Sequence, residues 1–489
     1  MFKIFKKLFF PIALISLLLL GCNNNVIDES VSLEFSSDTI IFDTVFTTIG
    51  SSTRIMKVYN RNDYPVTISN IVVEGGDNSC FSINVDGVSG SSVEDVEILA
   101  DDSIYIFAKV RIDPNNVNSP LIVEDSICFL TEDSRYYVKL IAWGQDANYI
   151  LADTYVDGLP PYKIVAAEGE TVVWAADKPY VVYGYAVVDS TGQLIIQAGA
   201  HIHFHSSGGL WVYKGGSIQV MGTATDKVVF QGDRLENDFA DIPEQWEKIW
   251  LCEGSINNEF HHTVIKNGYI GLHVQTYQES MGNILILDNV EIYNMSGMGI
   301  YSVFYGIVAG NCVISNCGSY LAALTGGGYY DFRHCTFANY WSKSTRQNAS
   351  VFVSDYYINN NNMYLYNLEN AYFGNCIIYG KLDNEVMYDK QGSGMFGINL
   401  QNSLLKISDE YINDEYFSDC IFNKDPLIYE AESVDFSLDT IASPAVNAGN
   451  ISVINESPVV DVHTDHLGYN RDNDDAPDIG AYEFIPDKK

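Results

Sequence analysis

The sequence is poor in basic residues and lacks the patterns of helical proteins. Of its 489 residues only 27 are Lys or Arg, against 63 Asp or Glu, which gives a formal net charge of −36. A surface of this sign repels phosphate backbones, so nucleic acid is not an expected partner. No amphipathic helix fits between the strand-like segments, and prolines are few, at 13. These shortages exclude a helical bundle, and the composition also excludes a multi-span membrane protein.

Glycine and aromatic residues are plentiful. The chain has 38 Gly, 33 Tyr and 24 Phe, and 47% of its residues are hydrophobic while only 18% are charged. Such a chain can bury a large core, so it is not disordered. Glycine together with aromatic residues that favour strands predicts an all-β fold of many short strands and tight turns.

The N-terminus has the order of features found in an export signal. Lysines at positions 3, 6 and 7 precede an apolar stretch over residues 9–20, which is too short for a comfortable membrane span. The stretch ends in Gly21 and Cys22, and this arrangement resembles the lipobox of bacterial lipoproteins. The alternative is an ordinary cleaved signal peptide in which Cys22 has no role.

The lipobox resemblance implies how the chain is anchored. Residues 1–21 would be the signal peptide, Cys22 would carry the lipid, and residues 22–30 would form a polar tether. The expected location is the cell envelope, with the lipid in the outer membrane and the side of that membrane left open. The membrane is then the first expected partner.

Eight further cysteines are too few for a disulfide scaffold in a chain of this size. None forms a CxxC zinc pair. Cys80 and Cys128 could bridge two sheets or remain free thiols, and these alternatives are about equal. For the others, burial as core filler is favoured over disulfide formation, although neighbouring parallel strands lie close enough for a bridge.

Residues 31–148 alternate between apolar and polar side chains, as in Val66–Val73. Clusters of turn residues separate the alternating segments, for example at 60–65 and 113–116. Strands with this spacing predict an antiparallel β-sandwich. The region resembles the immunoglobulin-like modules of bacterial surface proteins.

From residue 155 to about 430 a short phrase recurs, ending at residues 267, 294, 316, 339, 380 and 424. The intervals are 27, 22, 23, 41 and 44, which indicates a solenoid; each of the last two allows two coils or one coil with an insertion. The phrase predicts two inward ladders and, where it ends in Asn, a turn cap. The first ladder contains Thr263, Val290, Cys312, Cys335, Cys376 and Cys420. The second contains Ile265, Ile292, Ile314, Phe337, Ile378 and Phe422.

Short strands without a leucine-repeat pattern favour a right-handed parallel β-helix, and the region resembles the pectin-lyase-like superfamily. The C-terminal segment, residues 431–489, holds SPAVNAG at 443–449 and DIGAYEF at 478–484. It is similar to the terminal signature of many secreted bacterial β-helix proteins and is expected to cap the solenoid. Asp465, Arg471, Asp478 and Glu483 are predicted to form a paired network within it.

The superfamily contains polysaccharide lyases and glycoside hydrolases, so acids and bases on the solenoid are candidates for catalysis. Asp331 and Arg333 share a strand face and His334 follows them on the opposite face; a surface ion pair beside a solvated loop is the favoured alternative. His201, His203 and His205 alternate outward and are weak metal candidates, with a polar outer face favoured. No cofactor is expected, and Ca²⁺ at residues 472–475 lacks a specific motif.

Aromatic residues crowd one stretch of the solenoid. Tyr340, Trp341, Tyr356 and Tyr364 are candidates for carbohydrate binding, because exposed rings suit sugar faces. At even odds they instead pack an insertion. The resulting hypothesis is a lipid-anchored envelope protein that binds glycan or acts in adhesion without catalysis. The alternatives are a carbohydrate-active enzyme, a lyase before a hydrolase, and a purely architectural protein; the oligomeric state is open.

Overall fold

The computed structural model describes residues 32–47, 51, 53–113, 121–276, 284–430, 435–457, 459–473 and 476–486. Cys22 and the export signal lie outside these residues. The described part is almost entirely β-structure, as the composition predicts, with short 3-10 turns and one short α-helix, α1 (Ile451–Asn455). None of its helices is long and apolar enough to cross a membrane.

The chain divides into two compact units, the first drawn mainly from residues before 144 and the second mainly from residue 144 onward. Two five-stranded sheets with antiparallel pairings lie in the N-terminal part. The first contains, in spatial order, β1 (Leu33–Phe35), β3 (Arg54–Asn60), β8 (Ser103–Val110), β5 (Phe81–Val85) and β6 (Val88–Gly90). The second contains β2 (Thr39–Phe46), β10 (Arg135–Gln145), β9 (Leu121–Leu130), β4 (Val66–Val73) and β7 (Ser92–Ile98).

The alternating sequence explains the packing of these sheets. In β4 the side chains of Val66, Ile68, Ile71 and Val73 are buried, while Thr67 and Ser69 face solvent. A strand with one apolar face is stable only when a second layer covers that face.

The second unit is a parallel β-helix, and its coils typically contain three strands. One strand of each coil belongs to a ten-stranded sheet and the others to an eighteen-stranded sheet. The ten-stranded sheet contains β13 (Thr171–Trp174), β15 (Gln193–Gln197), β17 (Ser217–Met221), β20 (Glu259–His261), β23 (Ile284–Asp288), β26 (Gly306–Gly310), β29 (Gly328–Arg333), β34 (Leu368–Gly374), β37 (Phe396–Gln401) and β39 (Phe417–Ser418).

The eighteen-stranded sheet supplies the other walls. It contains β11 (Asn148–Leu151), β12 (Tyr162–Ala166), β14 (Tyr180–Val188), β16 (His201–Val212), β18 (Val228–Gly232), β19 (Lys248–Leu251), β21 (Thr263–Lys266), β22 (Ile270–Gln275), β24 (Glu291–Tyr293), β25 (Met298–Val303), β27 (Val313–Ser315), β28 (Ala322–Thr325), β30 (Thr336–Asn339), β31 (Val351–Ser354), β35 (Ile377–Gly380), β36 (Val386–Asp389), β38 (Leu404–Leu405) and β40 (Ile421–Phe422). The remaining described strands form an antiparallel hairpin, β32 (Tyr356–Asn359) with β33 (Asn362–Leu365), and an antiparallel pair, β41 (Ile428–Glu430) with β42 (Asp435–Leu438).

The register confirms the predicted stack of the repeated phrase. The paired residues run Ile265, Ile292, Ile314, Phe337, Ile378, Leu405 and Phe422. Leu405 belongs to an additional coil that the repeated phrase does not mark. The interval of 44 residues therefore contains two coils. The interval of 41 is one coil with an insertion that carries the β32–β33 hairpin.

Three cysteines of the first ladder fill the core as predicted, whereas Cys420 is partly buried against it. Cys312, Cys335 and Cys376 are fully buried on successive coils, and Ser403 occupies the same position in the additional coil. All eight cysteines that the structure describes, including Cys80 and Cys128, are free thiols. Burial raises the pKa of the Cys312 and Cys335 thiols well above the usual value, so they remain protonated and poorly reactive.

The coils turn at two kinds of corner, and at both of them residues adopt the left-handed backbone conformation with positive φ. The first corner, between the ten-stranded and eighteen-stranded sheets, is a single residue with positive φ: His262, Asn289, Asn311, His334, Asn375, Asn402 and Asp419. The second corner begins at the end of the repeated phrase, where the last residues Asn267, Asn294 and Asn316, and the fourth residue Asn423, have positive φ. Asn, Asp and His tolerate this conformation better than other side chains. The predicted turn-capping role of Asn is visible where Asn294 Nδ2 donates to Asn267 Oδ1 over 2.7 Å.

The C-terminal segment lies along the outer surface of the coils at the first corner. Val308 on β26 packs with Ile454, Val460 and Val462. Other contacts join Ala338 to Phe436 and Ala481, and Ile377 and Leu404 to Leu438 and Ile479. The segment therefore covers the side of several coils.

Candidate functional site

The three residues proposed for catalysis lie beneath the C-terminal segment. Arg333 Nε and Nη2 donate to the two carboxylate oxygens of Asp331 over 2.8 and 3.0 Å. Arg333 Nη1 donates to the carbonyl oxygen of Val453 over 2.7 Å. His334 is fully buried, and burial lowers its pKa well below the usual value. All three groups are buried, and Arg333 joins the coil to the C-terminal segment.

The C-terminal network contains the four residues predicted for it. Arg471 is fully buried, and its Nη1 forms an ion pair with Glu483 while its Nη2 donates to Asn311 Oδ1 over 2.9 Å. The backbone amide of Glu483 donates to Asp465 Oδ2 over 2.8 Å. Asp478 accepts hydrogen bonds of 2.6 Å from the amides of Asn447 and Phe484. The segment thus pairs Arg471 with Glu483 internally and bonds Arg471 to a first-corner asparagine.

The three histidines considered for metal binding have separate environments. His201 and His205 are exposed as predicted, but His203 is buried with Nδ1 3.0 Å from the Gly232 carbonyl oxygen. Burial lowers the pKa of His203 to about 4. His205 Nδ1 lies 2.7 Å from Asp233 Oδ2. Among the described residues no group of three His, Cys, Asp or Glu side chains is placed to hold a metal ion.

Two of the four aromatic candidates line a cleft at the second corner, which we call the tyrosine cleft. Its volume is about 210 Å³, and its lining residues are Asp241, Tyr293, Asn294, Asn316, Tyr340, Trp341, Ser342 and Lys343. Tyr340 is half-buried, whereas Trp341 is buried and its Nε1 donates to Ser344 Oγ over 2.9 Å. The other two candidates, Tyr356 and Tyr364, are in the β32–β33 hairpin and do not line this cleft.

Stacked coils position the rings of the tyrosine cleft. Tyr293 ends β24 in one coil, and Tyr340 follows β30 two coils further along. The Tyr340 amide donates to Asn316 Oδ1 over 2.9 Å, which ties the second ring to the intervening corner. The cleft therefore spans three coils, roughly 10 Å along the solenoid axis.

The hydroxyl groups in the cleft are neutral at physiological pH. Burial, and then the charges of Glu291 and Asp241, raises the pKa of Tyr293. Burial is also the main cause that raises the pKa of Tyr340, followed by the charge of Asp425. A neutral phenol both donates and accepts a hydrogen bond, which matches a sugar hydroxyl. The cleft also contains one carboxylate, Asp241, and one ammonium group, Lys343.

Tyr356 and Tyr364 belong to a separate aromatic row on the hairpin. The Tyr364 ring stacks on Tyr357 at a centroid distance of 5.0 Å, and Tyr357 stacks on Tyr366 at 6.2 Å. The Tyr356 hydroxyl donates to Asp389 Oδ2 over 2.7 Å. These contacts fit the alternative that the rings pack the insertion.

Sequence reasoning did not single out Asp241 and Tyr293 as site residues. Tyr293 occupies the fourth position of the repeated phrase, where alternation directs a side chain outward, and that was the available signal. Asp241 lies in the long second-corner loop, residues 233–247, and the length of such a loop does not reveal where it folds back.

Comparisons with known proteins show no relative that defines a function. No protein-family model and no curated protein matches the chain. Among solved structures, the chain is similar to the catalytic unit of a thermostable GH87 alpha-1,3-glucanase from Streptomyces thermodiastaticus, at 9% identity and a TM-score of 0.24, over 74% of this chain and 64% of that one.

Two other likenesses cover shorter stretches. A family 123 glycoside hydrolase from Clostridium perfringens matches at 10% identity and a TM-score of 0.17, over 25% of this chain and 31% of that one. The E. coli chaperone DraB matches at 13% identity and a TM-score of 0.17, over 23% of this chain and 54% of that one. The chain spans less than two thirds of each of these three proteins. At such TM-scores the likeness does not extend to a site or an activity, and the chain is therefore placed by its own all-β, parallel β-helix architecture.

Proposed function

We propose that the protein is exported, lipid-anchored at the cell envelope, and binds a glycan through the tyrosine cleft without turning it over. The observation that carries the proposal is the placement of Tyr293 and Tyr340 around one cleft at the same corner. Tyrosine offers an apolar ring for a sugar face and a hydroxyl for a sugar edge. The acidic surface does not favour nucleic acid as the ligand.

The size of the cleft indicates how much glycan it can hold. Its volume of about 210 Å³ is below the roughly 300–1,000 Å³ of sites that enclose a drug-sized ligand. The cleft would therefore take a short part of a longer chain, with the remainder outside it. Binding of this kind is weak for each site and increases when several sites act together on one polymer.

The anchor is the second part of the proposal. Acyl chains on Cys22 would hold the protein at a membrane surface, and residues 23–30 would give it reach. In the native host, Cys22→Ser should abolish incorporation of labelled fatty acid and release the protein from membranes. Unchanged labelling and membrane retention of the variant would refute the anchor. Protease treatment of whole cells would then show which side of the membrane the protein faces.

Glycan binding is tested with purified protein lacking residues 1–22. The protein is applied to an array of neutral, acidic and basic polysaccharides, and bound samples are assayed for reducing ends and unsaturated products. We expect retention without product, and a loss of retention of at least about tenfold in Tyr340→Ala. Tyr155→Ala is the matched control, since Tyr155 is 74% exposed and lies outside the cleft.

Each other outcome contradicts the proposal in a specific way. Product formation would replace it with the alternative, a carbohydrate-active enzyme. Equal losses in Tyr340→Ala and Tyr155→Ala would move the binding site away from the cleft. Absence of retention on every glycan would leave the architectural alternative.

A further inference from the structure

A second cleft lies at the second corner, on the other side of the 233–247 loop; we call it the glutamate cleft. Its volume is about 330 Å³, and its lining residues are Ser206, Ser207, Glu244, Trp246, Glu247 and Tyr269. Tyr269 is 43% exposed, so it offers a ring at the mouth of the cleft. Ser206 and Glu244 have positive φ, a conformation that is uncommon for these side chains.

Both clefts follow one continuous stack of corners. The Glu247 amide donates to the Gly208 carbonyl over 2.9 Å, and the Tyr269 amide donates to the Trp246 carbonyl over 2.8 Å. The stack continues where the Gly297 amide donates to the Tyr269 carbonyl over 3.0 Å and the Ser319 amide donates to the Gly297 carbonyl over 2.8 Å. The coil that contains Ser206 and the coil that contains Tyr340 are separated by five strand-to-strand spacings. The two clefts therefore lie along a line of about 24 Å.

The loop between the clefts is held in place by hydrogen bonds to the coils. Asn267 Nδ2 donates to the Ala240 carbonyl over 2.8 Å, and the Glu244 amide donates to the Gly268 carbonyl over 3.2 Å. Within the loop, Gln245 Nε2 donates to the carbonyls of Phe239 and Ile242 over 2.7 Å each. The loop therefore presents Asp241 to the tyrosine cleft and Glu244 to the glutamate cleft from one braced segment.

The charges of the glutamate cleft favour a cation. Asp241, Glu244 and Glu247 line the two clefts, and Lys343 is the one basic residue among their lining residues. Lys248 is 3.5 Å from Glu247 and offsets part of its charge. In the tyrosine cleft Lys343 balances Asp241, whereas the glutamate cleft is lined by two carboxylates and no basic residue. A cleft lined by one sign of charge concentrates ligands of the opposite sign. A uronate polymer would be repelled, whereas an ammonium group would be attracted.

From this geometry we infer that the two clefts form one binding line for a glycan with free amino groups, and that the glutamate cleft is the subsite that takes a protonated amino sugar. The inference rests on the proposed function, because it assumes that the tyrosine cleft binds sugar. The Tyr269 ring supports a sugar face, the serine hydroxyls bind its edge, and Glu244 and Glu247 pair with the ammonium group.

The test is calorimetric titration with three hexasaccharides: β-1,4-linked glucosamine, its N-acetylated form, and galacturonate. We expect the glucosamine hexamer to bind at least about tenfold more tightly than the N-acetylated one, and its affinity to fall as NaCl is raised from about 0.05 to 0.5 M. Glu244→Gln combined with Glu247→Gln should lower the affinity for the glucosamine hexamer by about fivefold or more. The affinity for the N-acetylated hexamer should stay unchanged. Glu168→Gln, at an exposed position outside both clefts, is the control.

The possible failures are distinguishable. If the hexamers bind and Tyr340→Ala weakens them, but the double Gln variant binds glucosamine as the native protein does, the amino-sugar subsite is refuted and the proposed function stands. Tighter binding of galacturonate has the same meaning. If none of the hexamers binds and the polysaccharide array is also empty, the proposed function fails and this inference fails with it. Thermal unfolding of each variant shows that a loss of affinity does not come from a loss of fold.

Discussion

At the first corner of the solenoid Arg333 is buried and paired, and Arg471 of the C-terminal segment is buried there too, whereas at the second corner Asp241 and Glu244 border open clefts. The second corner also contains a buried pair, Arg346 with Glu385, away from these two clefts. Arg333 on the coils is covered by the C-terminal segment, Arg471 of that segment is buried against the coils, and each has a carboxylate partner. Asp241 and Glu244 lie instead in a loop that leaves clefts on both sides. Both corners are built on the same coils, so the difference arises from what covers them.

The comparison shows why Asp331 and Arg333 on β29 are an ambiguous signal for catalysis. A cation beside an acid on a β-helix is expected both in a lyase site and in a buried structural pair. Only the long-range contact decides between them, and Arg333 meets Val453 across 120 positions in the sequence. Buried charges keep their partners because removal of one leaves the other uncompensated.

The largest expected effect is at the first corner, in Arg471→Met. The substitution leaves Glu483 buried without its cation and Asn311 without its donor, so we expect a loss of about 3–5 kcal/mol in the free energy of unfolding. The measurement is urea unfolding at pH 8, followed by fluorescence. Lys163→Met is the control, because Lys163 and Asp153 form an exposed pair at 3.5 Å. Equal losses in both variants would contradict the division between covered and open charges.

A second prediction concerns pH and Glu291, which joins the coils to the C-terminal segment. Its Oε1 lies 3.0 Å from His466 Nε2 and 2.5 Å from Lys227 Nζ. Burial alone would raise the pKa of Glu291, but the hydrogen bond and charge of His466 and the charge of Lys227 lower it to about 2. A lowered carboxyl pKa contributes stability above its unfolded value of about 4.5, and that stability is lost as the pH falls toward 2.

The shift in the pKa of Glu291 sets the size of the effect. The free energy of unfolding should fall by roughly 3 kcal/mol between about pH 5 and pH 2. We expect Glu291→Gln to be less stable than the native protein at pH 6 and to approach its stability as the pH falls. Acid unfolding of the two proteins, followed by circular dichroism, measures the difference. Parallel stability curves over this range would show that the ion pairs do not hold the segment.

The corner asparagines allow a direct comparison of the two sides. Asn375 accepts a hydrogen bond from the Asn450 amide over 2.9 Å and donates to the Asn450 carbonyl over 3.0 Å. Asn294, at the second corner, donates to Asn267. Glycine tolerates positive φ at both places. Asn375→Gly should therefore lower the free energy of unfolding by about 2 kcal/mol, because both hydrogen bonds to Asn450 are lost. Asn294→Gly should lower it by about 1 kcal/mol or less, and urea unfolding measures both. A reversed order would show that the bridge to the C-terminal segment contributes little.

Much of the architecture was predictable because a solenoid repeats its contacts at short sequence intervals. The ladder from Ile265 to Phe422 could be read from one five-residue phrase. The additional coil at Leu405 was missed because Ser403 replaces the cysteine and Ile407 replaces the asparagine. Half of the aromatic candidates, Tyr340 and Trp341, line the tyrosine cleft. Asp241, by contrast, lines it because of how the 233–247 loop folds onto later coils, which local patterns do not encode.

The smallest expected effect on stability, and the sharpest contrast with the first corner, is in Tyr293→Phe. This substitution removes one hydroxyl from the tyrosine cleft and keeps the ring, so the free energy of unfolding should change by no more than about 0.5 kcal/mol. Glycan affinity should nevertheless fall about fivefold, because a hydrogen bond of about 1 kcal/mol to the sugar edge is lost. Titration of native and variant protein with the best array ligand measures this loss. If stability falls by more than about 2 kcal/mol and affinity is unchanged, Tyr293 is a structural residue, and the second corner then resembles the first.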